Sequence, residues 1–465
     1  MPATAVSSNA KKAFIKTYGC QMNVYDSERM REILDTLGYG ETTEMGQAEL
    51  VLLNTCHIRE KAAEKVFSEL GRIRLIQQTR QQQGKDMLIG VAGCVAQGVG
   101  EEIFRRAPYV DMVFGPQTYH RLPEFVAAAL RRRNPDAKGP GRGVLDMDFP
   151  AEYKFDSLPE PKALGPTAFV SIQEGCDKFC HYCVVPYTRG AEYSRPAADV
   201  IAEVKKFVSQ GVKEITLLGQ NVNGYHGEAP QGTVQEGNKD WSLGRLCYAL
   251  AEIDGLARIR YTTSHPRDVD QDLVNAHRDI PQLMPYLHLP VQSGSDNILK
   301  AMNRRHKIDD YLRVIDAFRQ ASPQMAFSSD FIIGYPGETE EDFKATMRVI
   351  EQMNYAQAYS FKFSARPGTP AAGLTCDVPE SRKDERLQIV QEKLREQQFA
   401  FNKSCIGKTL PILFEKSGRH PGQIIGGSPY LQAAYVTGDM SLLGQIADVA
   451  IEDATLNSLT GTLVS

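Results

Sequence analysis

No stretch of the chain approaches the roughly 18 apolar residues of a membrane helix, so the sequence predicts no spanning segment and no membrane partner. The first ten residues, Met1 to Ala10, are small and polar and lack the apolar core of a secretory signal, which points to the cytoplasm. A strong charge of either sign is also missing: 53 Lys and Arg stand against 57 Asp and Glu, a formal −4. That argues against a protein that coats nucleic acid through bulk charge, so any such contact has to come from local patches. Cysteine is scarce, nine in 465 residues. Six of the nine fall into two metal-like groupings, and the pattern suits a reducing compartment better than a disulfide framework. The remaining three, Cys247, Cys376 and Cys405, read as structural. With 42% apolar and 24% charged residues the composition is that of ordinary globular protein, and the length suggests about three domains.

What is present, from Ala13 onward, is an alternation of strand and helix. Ala13–Thr17 reads as a strand ending in Tyr18-Gly19-Cys20, and Glu49–Asn54 as a strand ending before Cys56. Met87–Ala92 reads as a third, ending before Cys94. Between them lie helical patterns with Met30, Ile33, Leu34 and Leu37, then Ala63, Val66, Phe67, Leu70 and Ile73, on one face. Alternating βαβ units imply a parallel sheet, whose strand carboxyl ends share one edge where ligands bind. The three cysteines, nearly equally spaced, are therefore expected to converge. One buried cysteine at a strand end is usually packing; three at equivalent positions fit a second iron-sulfur cluster with three protein ligands and one open iron. The Pro- and Gly-rich segment Asn134–Pro166 reads as a linker, and Arg131-Arg132-Arg133 before it as a solvated helix end.

The densest signal is Gly175–Arg189, where Cys176, Cys180 and Cys183 stand in a C-x3-C-x2-C spacing after an apolar run, Ala168–Ile172. Clusters normally use four thiolates, so three in one loop leave an iron open to a substrate or cofactor. Zinc is the competing reading. It wants four ligands, and His181 lies inside the loop between two of the cysteines.

With Tyr182 before the last cysteine, this loop resembles the radical S-adenosylmethionine superfamily. The resemblance implies that the open iron is chelated by the methionine half of the cofactor. Reductive cleavage then gives a 5′-deoxyadenosyl radical, with Cys176, Cys180 and Cys183 as the catalytic ligands. The cofactor carries that chemistry and the protein positions it. After the loop, strands at Glu214–Leu218, Ile259–Thr263, Leu287–Val291, Ala326–Ile333 and Ala358–Phe363 alternate with helices such as Asp199–Gln210, Asp309–Gln320 and Glu340–Gln352. Six units predict an open (β/α)6 barrel with its functional loops at the strand carboxyl ends. Polar clusters at those ends supply the candidate cofactor-binding residues Gln220, Asn221, Ser264, Gln292, Gly334 and Glu338. The superfamily often has Gly-Gly-Glu after the second strand; Gly219-Gln220-Asn221 stands here instead. The insert His226–Lys239 reads as a loop at the mouth.

A long polar helix, Ser381–Phe401, closes the barrel region. Short β-rich runs follow (Leu410–Phe414, Gln432–Val436, Gln445–Ile451, Leu459–Val464) and predict a small β-barrel of the kind that often binds nucleic acid. Lys408, Lys416, Arg419, His420 and Tyr430 are its candidate contacts. The whole resembles the radical S-adenosylmethionine methylthiotransferases. Thr17-Tyr18-Gly19-Cys20-Gln21-Met22-Asn23, Asp26-Ser27-Glu28, Arg189-Gly190-Ala191-Glu192-Tyr193-Ser194-Arg195 and Thr263-Ser264-His265-Pro266 are most similar to members acting on N6-dimethylallyladenosine of tRNA, next to the anticodon (position 37). His57 departs from their small residue after the cysteine. The resemblance implies an α/β chain of four segments. These are a methylthiotransferase amino-terminal domain over 11–127, a linker over 128–161, a radical core over 162–394 and an RNA-gripping TRAM domain over 395–465. It implies two [4Fe-4S] clusters, on Cys20, Cys56 and Cys94 and on Cys176, Cys180 and Cys183, and two molecules of S-adenosyl-L-methionine per turnover. The partners would be the tRNA anticodon stem-loop, a low-potential electron donor and a sulfur donor, with a monomer as the default. Methylthiolation of threonylcarbamoyladenosine or of a ribosomal-protein aspartate are the neighbouring readings. A two-cluster electron carrier is the one from another class.

Overall fold

The computed structural model describes residues 11–56, 62–133, 143–149, 154–233 and 239–464. The chain divides into two compact units, Met1–Lys162 with Val184–Gly190, and Ala163–Cys183 with Ala191–Ser465.

The first unit is built on a parallel sheet of six strands. Their order is Tyr39–Glu41, Lys11–Thr17, Leu50–Thr55, Leu88–Gly93, Met112–Phe114, Val144–Asp146. The strands Leu50–Thr55 and Leu88–Gly93 are buried along their whole length, as parallel strands covered on both faces must be. Alternation sends Leu50 and Leu52 toward Met30, Ile33, Leu34 and Phe125 of the helices Gln21–Thr36 and Leu122–Arg133. It sends Val51 and Leu53 toward Val66, Leu70, Ile73 and Ile103 of Ala62–Gln82 and Cys94–Arg106 on the other face. Fully burying each such side chain contributes roughly 1.5–3 kcal/mol. The three expected strands are the first, third and fourth in the chain and lie side by side in the sheet. The expected linker is not a free connection throughout: Val144–Asp146 pairs in parallel with Met112–Phe114 and is the sixth strand. Arg133, the last of the three arginines, is not simply solvated, since it binds the Asp111 carboxylate at 2.8 Å.

The second unit carries six parallel strands in chain order. Thr167–Ser171, Glu214–Leu218 and Arg258–Tyr261 form one ladder, and Tyr286–His288, Ala326–Ile333 and Gln357–Lys362 another. The two meet at a single parallel bridge, Ile259 to Leu283. One apolar core joins the outer strand faces (Ile215, Leu217, Ile259, Phe331) to the helices Ala197–Ser209, Leu243–Ala251, Ile308–Ala321, Glu340–Met353 and Glu380–Lys403. This is the open barrel that the sequence predicts. The insert after His226 is more ordered than the expected loop, because His226–Glu228 pairs antiparallel with Asp240–Ser242; residues 234–238 are outside the described set.

The last five strands, Thr409–Ser417, Gln423–Gly427, Ala433–Thr437, Ile446–Ala454 and Ser458–Leu463, close into a barrel. Gln423–Gly427 is the strand that the sequence pattern misses. A side chain at Gly426 would meet the Leu413 carbonyl oxygen at 2.3 Å, so the neighbouring strand requires glycine there. Two arginines of the strand Arg258–Tyr261 are bonded to this small barrel. Arg258 donates to the Gly427 carbonyl at 2.9 Å, and Arg260 donates to those of Ser428 and Pro429 at 2.7 and 2.8 Å. The Glu214 carboxylate lies 3.4 Å from Arg258 and 2.9 Å from Arg260. Among the described residues no helix is long and apolar enough to cross a membrane.

Candidate metal and cofactor sites

In the first unit the cysteines stand at the carboxyl ends of three adjacent strands. Cys20 caps the helix Gln21–Thr36 and Cys94 opens the helix Cys94–Arg106, so two of the three sit at the positive end of a helix dipole, which favours thiolate. The chain reaches these positions through glycine. Gly19 has φ +106°, and a side chain there would meet Cys56 Cβ at 2.1 Å and Sγ at 2.6 Å. Gly93 has φ +90°, and a side chain would meet the Thr55 carbonyl oxygen at 2.4 Å. Asn23 ties the edge together, donating to the carbonyls of Tyr18 and Thr55, both at 2.9 Å. Asn54 donates to the Asn23 carbonyl at 2.8 Å.

These thiols act on one another. The Cys56 thiol hydrogen-bonds Cys20, and together with the Arg189 guanidinium this brings Cys20 down to about 6, against burial. Cys94 is pushed up by burial, while Arg189 hydrogen-bonds it and works in the opposite direction. Arg189 belongs to this unit although it follows Cys183 in sequence. It is buried, lies 2.6 Å from the Asp26 carboxylate and donates to Asn23 Oδ1 at 3.3 Å. Its own carbonyl accepts from Gln117 at 2.7 Å. Lys154 completes the group, with Nζ 3.7 Å from Asp26. Convergent thiols, glycine-permitted close approach and a fixed cation suit an anionic thiolate-ligated cluster. His57 lies outside the described residues.

In the second unit Cys176, Cys180 and Cys183 occupy the loop after Gln173–Glu174. Phe179 takes φ 49°, and Cys183 N–H donates to the Cys180 carbonyl at 2.9 Å, which curls the loop between the second and third cysteines. Outside contacts hold it: His181 N–H to the Met302 carbonyl at 3.0 Å, Asn303 to the Phe179 carbonyl at 2.9 Å, and Lys178 to Asp268 at 2.7 Å. The buried Arg304 donates to Cys180 Sγ at 3.6 Å and to the Pro290 carbonyl at 2.5 Å. Burial pushes Cys176 up to about 11. Among the described residues no three His, Cys, Asp or Glu side chains are grouped to hold one metal ion; a cube, by contrast, takes each thiolate at a different iron.

The expected cofactor residues surround this loop at the strand carboxyl ends, in differing states. Gln220 accepts from Gly175 N–H at 2.7 Å and braces the loop. Asn221 donates to Asp268 at 2.7 Å, and its Oδ1 has no protein partner. Ser264 Oγ is buried without a partner. Gln292 and Gly334 take φ 76° and 71°. Glu338 is committed inside the protein: its carboxylate accepts from Arg386 at 2.6 Å and from Gly334 N–H at 3.1 Å, and burial raises its pKa. Residues that the sequence reading passed over are Arg304 and His306, whose ring meets that of His265 edge-on at 5.6 Å, each histidine with Nε2 buried and unpartnered. Burial holds both histidines neutral, His306 down at about 4. The signal for them was the run Asn303-Arg304-Arg305-His306. Buried polar atoms without partners are rare and costly, about 1–3 kcal/mol each. Four of them, on Asn221, Ser264, His265 and His306, fit a polar cofactor in the barrel mouth.

Residues 12–115 match the uncharacterized protein family UPF0004, residues 170–350 the radical SAM superfamily, and residues 403–464 the TRAM domain. The three together indicate a radical SAM methylthiotransferase. The radical SAM match implies a [4Fe-4S] cluster and S-adenosylmethionine, and the TRAM match suggests RNA binding. Solved structures bear on this methylthiotransferase through the fold alone. The chain is similar to the radical S-adenosylmethionine methyltransferase TsrM from Kitasatospora setae (TM-score 0.54, 13% identity, 88% of this chain and 79% of that one). It is also similar to the cobalamin-dependent S-adenosylmethionine radical enzyme OxsB (TM-score 0.52, 12% identity), covering 83% of this chain but 56% of that one.

Proposed function

We propose that this methylthiotransferase converts N6-dimethylallyladenosine beside the tRNA anticodon to its 2-methylthio derivative. In this reading Cys20, Cys56 and Cys94 hold one [4Fe-4S] cluster and Cys176, Cys180 and Cys183 the other. When bound, the second would supply the electron for cleavage of S-adenosylmethionine, and the first would carry the sulfur, delivered by a sulfur donor, that is methylated and inserted. The observation that carries the reading is the pair of three-cysteine groups, neither with a fourth cysteine beside it in sequence, in a chain whose residues 403–464 match the TRAM domain.

The chain's own residues have definite tasks. Arg304 and Arg189 hold fixed positive charge at Cys180 and Cys94, where anionic thiolates would otherwise be buried at high cost. Asn221, Ser264, His265 and His306 offer unpartnered polar atoms to the cofactor. Gln220, Gln292 and Gly334 shape the mouth, and Glu338 positions Gly334 rather than touching the cofactor. Adenine C2–H is a poor acid, so a polar substitution there is difficult and a radical route is reasonable. Single-stranded loop bases can be splayed into such a mouth. The organisation into residues 11–127, 128–161, 162–394 and 395–465 belongs to the same proposal.

The test is anaerobic reconstitution followed by mass analysis of nucleosides from prenylated tRNA. A gain of the methylthio group on the prenylated adenosine is expected. Methylthiolation only of threonylcarbamoyladenosine, or of a protein aspartate, would move the substrate assignment. Absence of 5′-deoxyadenosine with any substrate would favour an electron carrier.

A further inference from the structure

Among the described residues, the last strand of the radical core, Gln357–Lys362, pairs with a neighbour on one side only, Ala326–Ile333. Its outward residues are accounted for: Ala358 packs on the core, and Lys362 binds Asp384 at 2.7 Å and Glu380 at 3.4 Å on the long helix. Alternation therefore turns Gln357, Tyr359 and Phe361 to the concave face of the barrel. Two aromatic side chains stand there in the open, Tyr359 at 46% and Phe361 at 49% exposure. Large aromatic rings on a strand of a buried-core barrel are normally covered. Residues two apart on one face are roughly 6.6 Å apart along the strand, which is close to the room that one flat ring needs between two others.

The surroundings are polar and rich in acceptors. In register beside Tyr359 on the next strand is Asp330, and beside Phe361 is Ile332. The Asp330 carboxylate lies 3.5 Å from His288 Nε2, whose Nδ1 is 2.9 Å from Ser328 Oγ. The His288 ring meets Tyr359 edge-on at 6.4 Å. No Lys or Arg stands in register beside Tyr359 or Phe361, and Arg258 and Arg260 of the strand Arg258–Tyr261 are bound to the carbonyls of the terminal barrel. What is left is an aromatic shelf with a carboxylate at its rim, which suits a flat, neutral, amine-bearing ring and not a phosphate.

We propose that Tyr359 and Phe361 form the stacking platform for the purine base of the RNA substrate, with Asp330 accepting a hydrogen bond from its exocyclic amine. The inference rests on the reading of the chain as an RNA-modifying enzyme and adds the place where the base is held. Phe361 is one step nearer the strand carboxyl end, where the cysteine loop lies, and Tyr359 is one step deeper.

The test uses the full chain and an anticodon stem-loop RNA with 2-aminopurine at the target position. Binding is expected to quench its fluorescence severalfold. Tyr359→Leu and Phe361→Leu should each abolish most of the quench and weaken binding about tenfold, roughly 1.4 kcal/mol, whereas Tyr359→Phe should keep both. Asp330→Asn should lower affinity for purines with an exocyclic amine more than for those without. If the leucine variants do not fold, Tyr359→Trp replaces them. The chain has one other tryptophan, and unmodified stem-loop must quench the added emission. An undiminished 2-aminopurine quench in the leucine variants would overturn the platform. So would a defect confined to S-adenosylmethionine affinity, which would make the shelf part of the cofactor site. Failure of the full chain to bind stem-loop at all would instead remove the RNA reading on which this rests.

Discussion

Replacing Arg189 by methionine removes the cation from a pair in which both side chains are 2% exposed. Asp26 then keeps a buried negative charge, with Lys154 at 3.7 Å as its remaining cation, and Asn23 loses the donor at 3.3 Å. Breaking one side of such a pair costs about 3–5 kcal/mol, because the surviving charge is stranded away from water. Solvent screening does not reduce this, as it would at the surface. For a unit of this size each kcal/mol moves the melting temperature by about 2–4 °C, so the first unit should melt roughly 6–20 °C lower. Calorimetry of the metal-free full chain, with hydrogen exchange to assign each transition, reads this directly. The triple variant Arg189→Met, Asp26→Asn and Lys154→Met should recover at least half of the loss, since removing the whole charge cluster is far less costly than stranding part of it. A drop below about 2 °C in the single variant, or no recovery in the triple, would refute the claim that this cluster holds the edge carrying Cys20, Cys56 and Cys94 together.

Two of the thiols with displaced titrations, Cys20 and Cys176, should separate by alkylation of the metal-free chain. Cys20, held near 6 by the Cys56 thiol and Arg189, is already thiolate at neutral pH and should label fast. Cys176, pushed to about 11 by burial, should stay slow until strongly alkaline pH. Equal rates at pH 7.5, read by peptide mass mapping, would contradict both assignments. Removing the chain after Phe401 should weaken tRNA binding and reduce its salt slope. It should also destabilise the core, since Arg258 and Arg260 lose their carbonyl partners beside Glu214. Unchanged affinity would contradict the gripping role of the barrel.

Much of the first site was legible because its strands are long and continuous enough to show where each ends, and a cysteine follows each end. Tyr39–Glu41, Met112–Phe114 and Val144–Asp146 were not legible, since three residues carry no period to read. The strand Gln423–Gly427 was not read at all, and the approach of the Leu413 carbonyl explains the glycine at 426 inside it. The role of Arg189 was hidden for a different reason. It lies 163 residues from Asp26, inside a motif whose cysteines belong to the other unit, so its neighbours in sequence point to the wrong chemistry. Glu338 shows the converse: a carboxylate in a glycine-rich mouth reads as a ligand until Arg386, 48 residues later, turns out to bind it. Tyr430, read as an RNA contact, packs edge-on against Phe401 at 5.4 Å. Its ring is half-buried in the barrel's own core, and that packing too joins residues the pattern cannot connect.

Iron and sulfide counted in three oxygen-free preparations test the central claim most directly: the full chain, a Cys20, Cys56 and Cys94→Ala variant, and a Cys176, Cys180 and Cys183→Ala variant. Each triple variant should keep half of the metal of the full chain, with a Mössbauer signature of one [4Fe-4S] cluster. Loss of all iron in either variant, or zinc in place of iron, would contradict two separate three-thiolate sites.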